Sequence, residues 1–437
     1  MTSGPSPRMR SPLFRAFDRV TRPPILSIFA LLQAGIIMVL VSQHLATGID
    51  QAAADGEMGT GDFAAFFTGA VMVREGRGSD LFDFSVQQTV QDRLFGVGLP
   101  YQQPYLNPPA LAIAGALTTG LGYRASFMVF VLSQFSLLLV SLAFLIWSST
   151  GVGGTWSSRA TALLLTLCFL PVALTTFGGQ NTGFTLGLLS GIFWAIRARH
   201  AVLAGLFLGL LTFKPQYAVL LGVVFLARRQ FRLLAMAALV SVGHYLVGAF
   251  FCGLSWPVKL LEALASHGPV EMAASAATHF SIPAVAGRAL PGTLSGMVVA
   301  LCGILVLGQL LRVGKTLLGD PERHPAFFGM VVCGTMLVSP HLQYYEAGIL
   351  VLPALLGIDL LLFRDAGVSG KLRFLLTLGF FGFPVWKASE GLGFQPLFVL
   401  LVGMFIWMNQ LCLGSRDSDW GSERELGVQA PAATARS

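Results

Sequence analysis

Four features of this chain could do chemistry, and they stand far apart in sequence: Asp62, the pair Gln180-Asn181, Lys214 and His341. A carboxylate can take a proton from a hydroxyl. A lysine or a histidine can face an anion, and side-chain amides can hold a polar group in either sense. Asp62 lies in the longest polar stretch of the chain. That stretch opens Gly61-Asp62-Phe63-Ala64-Ala65-Phe66-Phe67 and ends Pro104-Tyr105-Leu106-Asn107-Pro108-Pro109. Of the 21 acidic residues, eight fall between Asp50 and Asp92. This concentration makes the stretch the centre of the chemistry, with Asp62 at its head.

Lys214 carries the sharpest physical signal. It separates two apolar runs, Ala201–Phe213 and Pro215–Ala227. As helices, each run is roughly 20 Å long, short of the roughly 30 Å hydrocarbon core of a bilayer. The tip of such a hairpin sits below the membrane surface. An ionisable group there costs a few kcal/mol unless it faces a polar cavity or a partner, and an anionic lipid headgroup would serve. The plain alternative is a lysine that snorkels upward above Pro215, which starts the next helix. Asp62 precedes a predicted helix, so capping is its ordinary role. Gln180-Asn181 could cap the run that follows, and His341 after Ser339-Pro340 could be an ordinary interfacial residue. His267 and His279 lack metal-ligand spacing and read as structural.

Other chemistries leave no trace. The chain has no P-loop, GxSxG, HExxH or paired-cysteine zinc pattern. Asp80-Leu81-Phe82-Asp83 is too loosely spaced for a divalent-metal site. The five cysteines (Cys168, Cys252, Cys302, Cys333, Cys412) lie in apolar runs and read as small buried hydrophobes.

The elements that must position these residues are membrane spans. The chain has 437 residues, of which 54% are hydrophobic and only 11% charged. About 25% is usual for a soluble domain. The net charge of +7 comes from short basic clusters between apolar runs, the mark of membrane topology and not of a nucleic-acid surface. Residues 1–24 hold five arginines and place the N-terminus in the cytoplasm. Ile25 to Leu45 reads as a retained first span, not a cleaved signal. Residues 46–123 then form the first outer loop. Within it, Phe63 to Arg74 reads as an amphipathic helix on the membrane surface, with Phe84 to Phe95 a second. Ala110 to Leu121 is too short to cross and reads as re-entrant or interfacial.

That reading fixes the parity of the remaining runs. It predicts an all-α integral membrane domain over residues 25–413 with about twelve transmembrane helices. Both ends are cytoplasmic, and a polar, disordered tail follows over 414–437. It puts 20 of the 28 Lys and Arg residues inside, although the outer loops are longer. It also puts Asp62, Gln180-Asn181, Lys214 and His341 on the same, outer face.

The pattern as a whole resembles a known family. Its parts are Asp62-Phe63 followed by Leu81-Phe82-Asp83 and Pro108-Pro109; Gly179-Gln180-Asn181; Ala204-Gly205, Gly209 and Lys214-Pro215 with Arg228-Arg229; and Ser339-Pro340-His341. Together they resemble the polyprenol-phosphate-mannose-dependent mannosyltransferases of glycosyltransferase family 87, with the GT-C membrane fold. Two departures stand out. Asn107 occupies a position often aromatic, and Glu346 one often Asp.

The resemblance implies transfer of a sugar, mannose first, from a polyprenyl-phosphate carrier to a glycan or glycolipid acceptor at the outer face of the plasma membrane. It implies Asp62 as general base and inversion at the anomeric carbon. Lys214, His341, Gln180, Asn181, Tyr105 and Arg124 are the expected donor-phosphate and substrate contacts. No cofactor or metal is required, and no nucleic-acid partner is expected. An arabinofuranosyl donor is the nearest rival. A transporter or flippase is the rival from another class, but it calls for matching broken helices in two halves, and only one short hairpin is present.

Overall fold

Long apolar runs leave the backbone few choices in lipid, because every N–H and C=O must be satisfied within the protein. The protein takes the helical solution. The computed structural model describes residues 62–96, 103–147, 169–274, 278–317, 324–363 and 396–414, with isolated helical positions at 35, 39, 42, 163 and 166. Among the described residues every regular element is a helix, and β structure is limited to one bridge, His279 to Gln343. Four helices are long and apolar enough to cross a membrane: Tyr123–Ile146, Phe231–Cys252, Gly292–Lys315 and Pro396–Leu413. Their outer faces expose Val129, Leu132, Leu239, Leu246, Leu301 and Ile304. This is an all-helical membrane protein. The N-terminal segment, most of the first predicted span, residues 364–395 and the tail beyond 414 lie outside the described residues.

The first outer loop of the sequence reading folds, among the described residues, as three short helices and two 3-10 turns, Gly78–Asp80 and Thr119–Leu121. Helix α1 (Phe63–Arg74) has the predicted bounds but not the predicted setting. It is buried on every side from Phe63 to Val73, so it does not lie on the membrane surface. The cause is a second apolar face that the aromatic spacing hid. Ala64, Ala65, Gly69 and Ala70 let neighbours approach closely, and a Cβ on Gly69 would sit 2.9 Å from the Tyr105 ring. The one polar group inside, Thr68, bonds its hydroxyl back to Ala64 O at 2.8 Å. A surface helix needs a charged face, and α1 has none.

Helix α2 (Phe84–Phe95) is capped by Asp83, whose carboxylate accepts from Ser85 N at 2.9 Å and Val86 N at 3.3 Å. Helix α3 (Ala110–Ala116) has seven residues, roughly 10 Å of rise. A 3-10 turn, Thr119–Leu121, follows it. Neither can span the hydrocarbon core as a helix. Arg74 ties the turn back to α1 through Thr119 Oγ1 at 3.2 Å.

After α4 (Tyr123–Trp147) and α5 (Leu170–Phe177) come two hairpins. Helix α6 (Thr182–Arg197) returns as α7 (Ala201–Leu210), and α8 (Pro215–Ala227) returns as α9 (Phe231–Cys252). The turns between them close with arginine in the left-handed region: Arg199 at φ 60° and Arg229 at φ 57°. Each is followed by a 6→1 bond, His200 N to Ala195 O at 2.8 Å and Gln230 N to Phe225 O at 3.0 Å. Both turns stand at the end of the bundle opposite Lys214.

Helices α7 and α9 meet through Gly205 and Gly209, spaced four apart. A Cβ at Gly209 would lie 2.8 Å from Ala237 O, and one at Gly205 would strike Leu233 O. Small residues at this spacing let membrane helices touch backbone to backbone. Helices α10 (Trp256–Ala274), α11 (Ile282–Ala289) and α12 (Gly292–Thr316) follow. Helix α13 (Pro325–Val338) is buried almost throughout its length. A seven-residue 3-10 stretch, Tyr344–Leu350, runs directly into α14 (Val351–Phe363), and α15 (Pro396–Gly414) packs on α13.

Candidate active site

The site is built where five separate segments end. Asp62 stands at the start of α1 with helical backbone, φ −72° and ψ −2°, and makes no side-chain cap bond. Capping needs an extended residue that folds its side chain over the first turn. Asp62 lacks that geometry, so the capping expected of it is absent and its carboxylate is directed elsewhere. It accepts from the Tyr345 hydroxyl at 3.5 Å, across 283 positions of sequence. The Gln180 side chain also hydrogen-bonds to it, and Lys214 lies within electrostatic reach. Burial pushes the Asp62 carboxyl above its usual range; the bonds from Gln180 and Tyr345 and the Lys214 charge offset this only in part.

Gln180 and Asn181 form the turn from α5 into α6. Neither acts as a cap: Asn181 precedes α6 without a side-chain cap bond. Its Nδ2 donates to Asn107 Oδ1 at 3.3 Å, tying the turn to the end of the polar stretch.

Lys214 is held at the hairpin tip by its neighbours. The 3-10 turn Leu211–Phe213 precedes it and receives its N–H at Leu211 O, 2.9 Å away. Pro215 starts α8 immediately after it. The side chain does not snorkel outward but pairs within the protein. Its Nζ meets Glu346 Oε1 at 2.5 Å, with the side chains only 8% and 2% exposed. A partner for Lys214 was required by its depth, and the protein itself supplies one.

His341 stacks edge-on against His279, with ring centroids 4.8 Å apart. Burial first and the Lys214 charge second push His341 down to about 4. His279 falls to about 4 as well, chiefly through burial. Both imidazoles are therefore neutral at pH 7, and His341 can serve as a hydrogen-bond donor and not as a cation. The histidine pair is fixed by the bridge from His279 to Gln343, by Phe280 N to Leu342 O at 3.1 Å, and by Arg288 on His279 O at 3.1 Å. Ser339 Oγ donates to His341 O at 2.7 Å.

Two expected contacts lie elsewhere. Tyr105 is fully buried, with its hydroxyl donating to Pro108 O at 2.7 Å and accepting from Ala112 N at 3.2 Å. Its own N–H reaches Gln87 Oε1 at 2.7 Å. Tyr105 therefore pins the polar stretch together. Arg124 is exposed on the first turn of α4. Three participants went unread in the sequence: Tyr345, His279 and the pairing role of Glu346. Only Glu346 left a signal, since a lysine at that depth demands an acid. Among the described residues, no three His, Cys, Asp or Glu side chains converge in a metal-binding arrangement.

Phe63, next in sequence to Asp62, lines a cavity of about 140 Å³ between α1, α3, α4 and α6, together with Phe66, Phe67, Phe130 and Phe184 among others. The site thus gathers a buried carboxylate, a buried lysine and neutral imidazoles. The comparison with known families gives the class. Residues 105–340, more than half the chain, match glycosyltransferase family 87. The chain belongs to that family and is a glycosyltransferase. The match includes Gln180, Asn181 and Lys214 but stops one residue before His341, and Asp62 precedes it. No curated protein and no solved structure matches the chain.

Proposed function

We propose that the protein moves a sugar, mannose first among candidates, from a polyprenyl-phosphate carrier to a hydroxyl of a glycan or glycolipid at the outer face of the plasma membrane. The overall architecture in this reading is the GT-C fold with about twelve spans. The observation that carries the reading is the uncapped Asp62 carboxylate, raised in pKa and set within electrostatic reach of Lys214.

Asp62 takes the proton of the acceptor hydroxyl as that oxygen attacks the anomeric carbon. The bond from this carbon to the phosphate oxygen breaks, and its electron pair leaves with the phosphate. Lys214 answers the growing charge, and His341 donates a hydrogen bond to it. Polyprenyl phosphate is a stable anion, so no strong general acid and no metal enters the scheme. Attack from the face opposite the phosphate turns a β-linked donor into an α-linked product. The aromatic cavity lined by Phe63 suits the first isoprene units of the carrier.

The test is a transfer assay in membranes, using polyprenyl-phosphate mannose and its arabinofuranosyl counterpart. Wild-type protein should transfer mannose. Asp62→Asn should lose roughly 10²- to 10⁴-fold of that rate, with protein level and donor binding retained. Full activity in Asp62→Asn would remove Asp62 as the base. Absence of transfer from both donors would end the polyprenyl-phosphate reading.

A further inference from the structure

The ion pair that holds Lys214 is built in an unusual way. Glu346 is 1% exposed, yet among the described residues its second oxygen, Oε2, has no hydrogen-bond partner. A buried carboxylate ordinarily has all its oxygens satisfied. Here one short contact to Lys214 does all the compensation. The hydroxyl of Tyr217, on α8 one turn beyond Lys214 and in electrostatic range of Glu346, is likewise buried without a partner among the described residues.

The carrier of Glu346 is also unusual. Residues Tyr344–Leu350 form a seven-residue 3-10 run between extended Gln343 and the start of α14, longer than the three or four residues typical of that geometry. The run is tied at its start: Thr175 Oγ1 donates to Tyr345 O at 2.5 Å, and Gln343 pairs with His279. Glu346 therefore sits on a segment tethered at its start and faces the one lysine of the site. Asp62 and His341 also feel the charge of that lysine, and His279, with Arg288 beside it, feels that of Glu346.

We infer that Glu346 is a built-in competitor for the phosphate site: it occupies Lys214 when the site is empty and displaces the spent carrier phosphate from it. The inference rests on the donor reading above. The donor is a phosphodiester with one negative charge. Transfer leaves a phosphomonoester, which carries about −1.5 to −2 at pH 7. The product thus binds Lys214 more strongly than the donor did, and turnover requires an opposing anion. Glu346 supplies it without crossing the bilayer or the solvent.

Glu346 is a positioning residue in this scheme, and the readout is the inhibition constant of a short carrier product, farnesyl phosphate, in the mannose-transfer assay. Glu346→Gln removes the charge and keeps the shape. It should tighten inhibition roughly tenfold, about 1.4 kcal/mol, and lower kcat, while KM for the donor does not rise. Glu346→Asp, with a shorter carboxylate, should fall between Gln and wild type and stands in if Gln does not fold. A purely structural role would weaken or leave unchanged the inhibition in both variants, and that result overturns the inference. If wild-type enzyme transfers sugar but farnesyl phosphate does not inhibit it, the inference fails while the donor reading survives. If wild-type transfers from neither donor, both fail.

Discussion

At the residue scale, the proposed chemistry rests on a carboxyl whose surroundings oppose its ordinary behaviour. Burial raises the Asp62 carboxyl, which makes it a better base near neutral pH than a solvated aspartate. The sign of the pH dependence follows. Protonation removes the base, so kcat/KM should fall as pH drops through the Asp62 pKa, and that fall should lie above about 3.9, the value of a free aspartate. Because His341 and His279 are held near 4, the free enzyme should show no imidazole limb near 6.5. A pH profile of kcat/KM at low donor concentration checks both. A limb near 6.5 that vanishes in His341→Gln would show that the imidazole titrates in solution as an ordinary histidine. Lys214 was legible as a site residue because its depth alone demanded explanation. Tyr345 and His279 were not legible, since a tyrosine beside a tyrosine and a lone loop histidine carry no periodic or spacing signal. Their roles arise only when segments 60 to 280 residues apart meet.

At the element scale, sequence spacing located helices better than it located their surroundings. The bounds of α1, α2 and the Lys214 hairpin could be read from apolar runs, Asp83 and Pro215. The burial of α1 could not, because small residues on its far face mean either water or close packing, and only Tyr105 and α3 decide which. The same small residues are strict constraints elsewhere. Gly209→Val would drive a branched side chain into the α9 backbone near Ala237 and force apart the two helices that set the height of Lys214. Overpacking of this kind typically costs about 1–3 kcal/mol. The expected outcome is a lower Tm in detergent together with loss of transfer. Retained Tm and activity would show that α7 and α9 can separate without moving the lysine.

At the scale of the whole molecule, the four site features share one end of the bundle and the arginine turns share the other. That polarity was read from basic residues alone, and the fold brings Asp62, Gln180, Lys214 and Glu346 to one place. Sidedness is testable directly. A cysteine at Thr89, exposed on α2, should react with a membrane-impermeant thiol reagent added outside intact cells. A cysteine at exposed Arg229 should react only after permeabilisation. The reverse pattern would invert the proposed topology and place the sugar transfer in the cytoplasm.

The two turns at that far end have a history written into them. Left-handed backbone suits glycine, and holding any other residue there costs about 1 kcal/mol or more. Yet Arg199 and Arg229 occupy it. A folding criterion alone would select glycine at both. A positive charge, however, is read while the chain is being inserted, before any of its helices have packed. Insertion and folding thus place rival demands on the same two positions at different times. In the proposed topology, the folded protein keeps the earlier demand as a permanent twist in its backbone.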